Sequence, residues 1–198
     1  MKFTYITDTT QEKWTIDSSE PHVFFLYNYS GNLDVSIQKE NAHVYIFGLY
    51  IGKGDDQFNI NTIQHHTVGK SVSDLLIKGV FEDNAKFYYE GLIQIDPGAH
   101  ESNAYQKNQN LLLSKSAYVD SRPFLEIKAN DVRCTHGSTT GALDEDQMHY
   151  LSTRGLMEVE SRQLLLQGFI DDVFQRMQTL GCSESDRIRS NILNYVSK

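Results

Sequence analysis

The 198 residues carry 18 Lys and Arg against 26 Asp and Glu, a formal charge of −8, with 39% apolar and 22% charged residues. This is the composition of a globular chain long enough for one sizeable core, or for one main domain with a small appendage, and no basic block offsets the acidity along a nucleic-acid backbone. Two cysteines, Cys134 and Cys182, cannot build a disulfide framework, and no N-terminal apolar stretch has the length or flanks of a signal peptide or membrane span, so a cytoplasmic protein with no membrane partner is expected.

Residues Met1–Ser19 are polar and mixed, with Trp14 and Ile16 as anchors, and predict a short lead-in strand pair. From His22 onward the chain becomes short β-rich runs separated by Gly, Asn and Asp: HVFFLYNY, VSIQ, HVYIFGLYIG, FNINTI, LLIKGVF, KFYYEGLIQI, NLLL, YVD, FLEIKA and DVRC. Phe124–Lys128 alternates between apolar and polar residues, whereas Leu111-Leu112-Leu113 is continuous. No exact repeat of fixed length is visible. The pattern says all-β and leaves a sandwich, a barrel and a solenoid of parallel strands open.

After Leu143 the period changes. Asp144 followed by Gln147 has the form of a capping box with Asp in the capping role, and Glu145 and Asp146 suit the positive end of a helix, which should run to Arg154-Gly155. A second helix is predicted from about Glu158, with Leu166, Phe169, Ile170, Val173, Phe174 and Met177 on one apolar stripe. Gly181 closes it. Ser183 with Asp186 should open a third helix carrying Ile188, Ile192, Tyr195 and Val196 on one side.

Several local motifs fail on inspection. Gly69-Lys70-Ser71 has the ending of a phosphate-binding loop, but the required earlier glycine is Gln64 and a β-like run follows, so no nucleotide is expected on this chain. Ile51–Asp56 lacks the third glycine of a dinucleotide fingerprint and reads as a turn. Adjacent residues of a strand face opposite sides, so His65 and His66 should not share a metal. Glu126 and Asp131 lack the nucleophile that would complete an acid–base set. Cys134 and His136 are different: two apart in a strand, they share a face and offer a thiolate and an imidazole to iron or zinc. Two ligands do not close a tetrahedral site, so a dimer interface would have to supply the rest, and a buried Cys beside a hydrogen-bonded His is the structural alternative.

Around these residues the chain resembles a known family. Gly91–Ile95, Ala104–Ser114, Asp120-Ser121-Arg122-Pro123-Phe124-Leu125-Glu126-Ile127, Asp131-Val132-Arg133-Cys134-Thr135-His136-Gly137, Leu143–Gln147, Arg154-Gly155 and Leu164–Phe169 follow the order of the SufB/SufD core, and upstream His65, Ser71, Lys78-Gly79-Val80 and Gly91 fit its spacing. The Cys-x-His-Gly form is more similar to SufD than to SufB. The resemblance implies a mainly β protein: a right-handed parallel β-helix over residues 1–143, with a short N-terminal cap, then a C-terminal helical segment over 144–198. It implies a non-enzymatic subunit of the SUF scaffold for iron–sulfur cluster assembly, joined through its β-helix to a SufB-like chain or a second copy. Asp144, Glu145, Asp146, Gln147, Arg154, Gly155 and Phe169 fall in the segment that would dock a SufC-type ATPase. His136 matches a histidine of the cluster-assembly interface, with Cys134 as its neighbour, and the two would be metal ligands shared with the partner chain for a transient iron–sulfur cluster. Members are longer, so this chain reads as a short form without the usual N-terminal region, natural or truncated, with Met1–Ile16 as the candidate cap. A β-helical interaction protein without cluster chemistry is the alternative.

Overall fold

The computed structural model describes residues 1–7 and 11–196, with side chains of the last helix described as far as Ile192; the expected placement of Tyr195 and Val196 lies outside the described residues. Among the described residues eleven strands precede three helices: β1 (Lys2–Ile6), β2 (Lys13–Ile16), β3 (His22–Tyr27), β4 (Gly31–Ile37), β5 (His43–Gly52), β6 (Gln57–His66), β7 (Val72–Phe81), β8 (Lys86–Ile95), β9 (Asn103–Leu112), β10 (Tyr118–Ile127) and β11 (Arg133–Gly141). Odd strands form a six-stranded sheet in the order β1-β3-β5-β7-β9-β11, and even strands a five-stranded sheet in the order β10-β8-β6-β4-β2. Every pairing is parallel. Parallel neighbours cannot be joined by a hairpin. Here each corner carries the chain to the opposite sheet, so a strand meets its neighbour only after one full coil. The protein is a parallel β-helix followed by C-terminal helices.

The paired positions His22, Val44, Ser73, Ala104 and Cys134 mark one row across the odd-strand sheet, with steps of 22, 29, 31 and 30 residues. The unequal steps hide the repeat from a search for one period. Its backbone signature is clearer: Asn41, Lys70 and Glu101, each just before β5, β7 and β9, have φ of 59°, 56° and 59°. The same left-handed corner is filled by three different side chains, two of them poor αL formers.

Two expectations need correction. The lead-in strands do not pair with each other: β1 pairs with β3 in one sheet and β2 with β4 in the other, so they make a coil of their own. YVD and FLEIKA are a single strand, β10, running through Pro123. A proline is tolerated there because β10 is an edge strand, paired to β8 alone, and its missing N–H can face the unpaired side.

The interior of the coil is filled by alternate residues. Near the N-terminus they are apolar, including Phe24, Leu33, Val35, Val44 and Ile46, and an aromatic group follows in Tyr50, Phe58, Phe81, Phe87 and Tyr89. Gly79 makes room for that group. A Cβ there would overlap the Phe81 ring and stand 2.6 Å from Asn110 Oδ1. Gly79→Ala is therefore expected to cost about 1–3 kcal/mol through overpacking, read as a lower urea midpoint at unchanged slope.

Outside, the odd-strand sheet is covered by α2 (Glu158–Thr179) and α3 (Ser185–Val196). Val23, Phe25, Phe47, Leu49, Leu76 and Val80 meet Ile170, Val173, Phe174, Met177, Cys182, Ile188 and Ile192, with Leu166 and Phe169 partly buried beside them, as the apolar stripe required. α1 (Glu145–Thr153) begins as the sequence indicated: Asp144 Oδ1 accepts from the Gln147 N–H at 3.0 Å. The left-handed Gly155 (φ 90°) and Gly181 (φ 81°) end α1 and α2. α3 opens at Ser185 rather than Ser183, its hydroxyl bonded to the Cys182 carbonyl at 2.8 Å.

Candidate functional site

The coil ends at β10 and β11. Each is the outermost strand of its sheet, so one edge of each offers unpaired N–H and C=O groups. The inward rows of the odd-strand sheet change character toward this end. One runs Phe24, Ile46, Leu75, Gln106, His136; the next Leu26, Gly48, Ile77, Asn108, Ser138; a third Tyr50, Gly79, Asn110, Thr140. Apolar filling thus gives way to carboxamides and then to an imidazole and hydroxyls at the rim.

Cys134 and His136 lie on the inward face of β11, but in different surroundings. Cys134 packs with Ile93, Ile95 and Ala104, and its desolvation raises the thiol above the ordinary range, against a backbone hydrogen bond at Ala104 that lowers it. It is a half-buried thiol whose surroundings favour the protonated form. His136 is exposed. Beyond it Ser138 Oγ bonds to Ser121 Oγ on β10 at 2.9 Å, which bridges the two sheets at the rim, and within the odd-strand sheet Asn110 Nδ2 reaches Thr140 Oγ1 at 3.4 Å. Among the described residues no group of three or more His, Cys, Asp or Glu is placed to hold a metal ion.

The β10 side of the rim was not singled out from the sequence. Phe124, Leu125 and Ile127 are 48%, 38% and 41% exposed. Leu125 and Ile127 continue the inward rows of Ile93 and Ile95, which are buried, so they are core residues with no coil above them. Their alternation was legible; that these two side chains stand exposed was not.

The helical candidates fall into two places. Asp144, Glu145, Asp146, Gln147, Arg154 and Gly155 are all exposed along α1 and the elbow that follows it. Phe169 is not with them. It sits on the inner stripe of α2, beneath the ammonium of Lys78 at 4.3 Å from the ring centroid. α1 has no buried residue, and Tyr150, Met157, Val159 and Leu164 are exposed by 49–67%, an apolar surface that sequence reading passed over. Arg154 lies 5.1 Å over the Tyr150 ring.

Gly69-Lys70-Ser71 is a coil corner leading into β7, and Ser71 points inward to His66. His66 is buried inside the coil, whereas His65 faces outward, 3.1 Å from Asp96 but off hydrogen-bond geometry. Glu126 pairs with Lys128 at 2.6 Å on the surface. Among the described residues no helix is long and apolar enough to cross a membrane.

Comparison with known proteins gives a consistent result. Residues 28–169 match the family described as SUF system FeS cluster assembly, SufBD core domain. The iron-sulfur cluster assembly protein SufD of Escherichia coli (strain K12) is 29% identical over 153 residues, covering 77% of this chain and 36% of that protein. SufD of Bacillus subtilis is 30% identical over 153 residues, 74% of this chain and 35% of the relative. A SufBD family protein of Synechocystis is 28% identical over 146 residues, 74% and 32% respectively. The chain spans about a third of the length of the curated relatives it matches.

Proposed function

Because the chain belongs to the SufB/SufD family of iron–sulfur cluster assembly proteins and is SufD-like, we propose that it is a non-catalytic scaffold subunit whose open coil end pairs with a second β-helix, a SufB-like chain or another copy of itself. The helical segment, on this reading, docks a SufC-type ATPase. The observation that carries the first part is the open end itself: two parallel sheets stop together with free edges, and Leu125 and Ile127 stand exposed where a further coil would cover them. A partner that continues both sheets would bury those side chains and satisfy the strand edges. α1, with no buried residue and an exposed Tyr150, is a helix whose apolar surface awaits a partner.

The cluster is cargo here, assembled between chains. His136 would contribute an imidazole from the rim; Cys134 could contribute only after losing a proton its surroundings hold on to. The nucleotide belongs to the ATPase partner, since the glycine–lysine–serine corner of this chain has no helix N-terminus to cradle phosphate. A population shift in the ATPase on binding nucleotide would then move the docked helices and the rim.

Co-expression with SufB-type and SufC-type chains of the same genome tests this, read by native mass spectrometry. Leu125→Asp with Ile127→Asp should weaken pairing of the β-helices by about 30-fold or more, as charge placed in the centre of an apolar contact does, while leaving ATPase binding intact. His136→Ala should leave the complex assembled and reduce the absorbance that develops on anaerobic reconstitution with iron and sulfide. If neither partner associates with the chain, the docking reading is wrong. Normal cluster formation in the His136→Ala complex would remove His136 from the mechanism, whereas no cluster formation in the assembled wild-type complex would favour a β-helical interaction protein without cluster chemistry.

A further inference from the structure

The contact between α2 and the odd-strand sheet is largely apolar; apart from the half-exposed pair of Arg162 with Glu82 at its margin, 3.4 Å apart, one charged group lies within it. Lys78, on β7, is 5% exposed among those hydrophobic side chains. Its Nζ lies 2.8 Å from Asp172 Oδ2, donates to the Phe169 carbonyl at 3.0 Å, and caps the Phe169 ring. Asp172 is held from its other side by Arg176 Nε at 3.2 Å. Burial pulls the ammonium below its ordinary range, and the hydrogen bond and charge of Asp172 oppose that pull.

A buried ion pair is a poor source of stability, because an apolar side chain of the same volume often does as well. Its better-attested use is to fix register. Apolar packing is non-directional, so Phe47 and Leu76 against Ile170 and Val173 would let α2 slide or roll by a fraction of a turn at little cost. The Lys78 ammonium cannot follow such a slide. It must find Asp172 and the Phe169 carbonyl together, one on a side chain and one on the helix backbone.

The position on the sheet matters as well. Lys78 pairs with Gln109 of β9, and Gln109 with Thr139 of β11, the strand that carries His136. At the other end, α2 follows directly on the exposed elbow at Gly155. We propose that Lys78 and Asp172 are positioning residues that lock the register of α2 on the β-helix, so that a displacement of the helical segment reaches β11 instead of being lost as sliding. This rests on the reading of the helical segment as the ATPase-docking element.

The test separates the two. Nitroxides attached through unnatural ketone side chains at the exposed positions Gln57 and Gln175, which leaves both cysteines untouched, report the helix-to-coil distance in the full chain by double electron–electron resonance. The wild-type distribution should be single and narrow. Lys78→Met, which keeps the stem packed on Phe169, should broaden it about twofold or add a second population, with hydrogen bonding and charge both gone. Asp172→Asn, at a half-exposed carboxylate that need not endanger folding, should broaden it in the same direction. Unchanged distributions in both variants overturn the lock. In the complex, both variants should bind the SufC-type ATPase within about twofold of wild type yet lose the nucleotide-dependent change in the same distance; an unaltered nucleotide response overturns the transmission. If the wild-type chain binds no ATPase, the docking reading fails, and the distributions of the isolated chain still decide the lock.

Discussion

Phe87→Ala is expected to lower the free energy of unfolding by about 3–5 kcal/mol, a fall in midpoint temperature of about 10 °C for a chain of this size. Phe87 is fully buried at the centre of the coil, with ring centroids 4.7 Å from Tyr50, 5.1 Å from Phe81 and 6.4 Å from Tyr89. Two features make the cost large. The removed ring leaves a space lined by other rings, whose planes are set by their own contacts. The backbone around it is held by β6 on one side and β10 on the other, so the coil cannot contract to close the gap. Because each coil touches mainly its neighbours, the loss should be felt first locally. Amide exchange should accelerate most in β6, β8 and β10 before it does so in β1 to β3. A loss below about 1 kcal/mol would mean that the coil interior repacks freely, and the rigid aromatic layer described above would be wrong.

That layer was readable in part. The strands β5, β7 and β8 are long, dense apolar runs bounded by turn residues, and their existence follows from composition alone. What joins them is not. The step between equivalent residues varies from 22 to 31, and the corner before β5, β7 and β9 is occupied in turn by Asn41, Lys70 and Glu101, so neither a period nor a consensus residue betrays the solenoid. YVD and FLEIKA stood as separate runs on either side of Ser121-Arg122-Pro123, and a proline within one strand makes sense only once that strand is known to lie at an edge.

The helices were the reverse case. Their caps and stripe are local, written within one or two turns, and Asp144, Ile170, Val173 and Met177 stand where the pattern required. The candidate site depended on both kinds of information. Cys134 and His136 could be paired from spacing, but their different fates, one packed under Ile93 and Ile95 and the other exposed at the rim, come from where the coil ends. The partnership of Lys78 with Asp172 joins residues far apart in the chain, and no local signal announces it.

The second large effect is a dependence on pH. His66 lies inside the coil with no exposed surface, and desolvation, helped by the nearby His65, lowers its pKa from 6.5 to about 4. The hydrogen bonds explain why the neutral form is wanted. Ser71 Oγ donates to the Val68 carbonyl at 3.0 Å, so toward His66 it must accept, which puts the proton on Nδ1 at 2.7 Å. Nε2 then accepts from Ser73 Oγ at 2.8 Å, and Ser73 Oγ in turn accepts from Gln64 Nε2 at 2.7 Å. Protonating Nε2 would take away the acceptor of the Ser73 O–H unless the Gln64 carboxamide turned over to present Oε1, which has no partner at present.

The sign of the linkage is fixed by this. Between pH 6.5 and 4 the unfolded chain binds a proton at this histidine that the folded chain refuses, so stability is fully present above pH 6.5 and is lost as pH falls toward 4. The size is about 3 kcal/mol for a shift of this magnitude. Urea titrations across that window should show it. His22 also has a lowered pKa from burial and contributes in the same direction, so the comparison that isolates His66 is a variant. His66→Gln, which keeps hydrogen-bonding groups but cannot be charged, should be less stable than wild type at pH 7.5 and should lose most of the slope. An unchanged slope in His66→Gln would assign the acid sensitivity to other groups. A loss of slope would place it on β6, beneath Ile95 and Ile127 and two strands in from the open edge, so that acidification would loosen the end of the molecule proposed to meet its partner before it unfolds the rest.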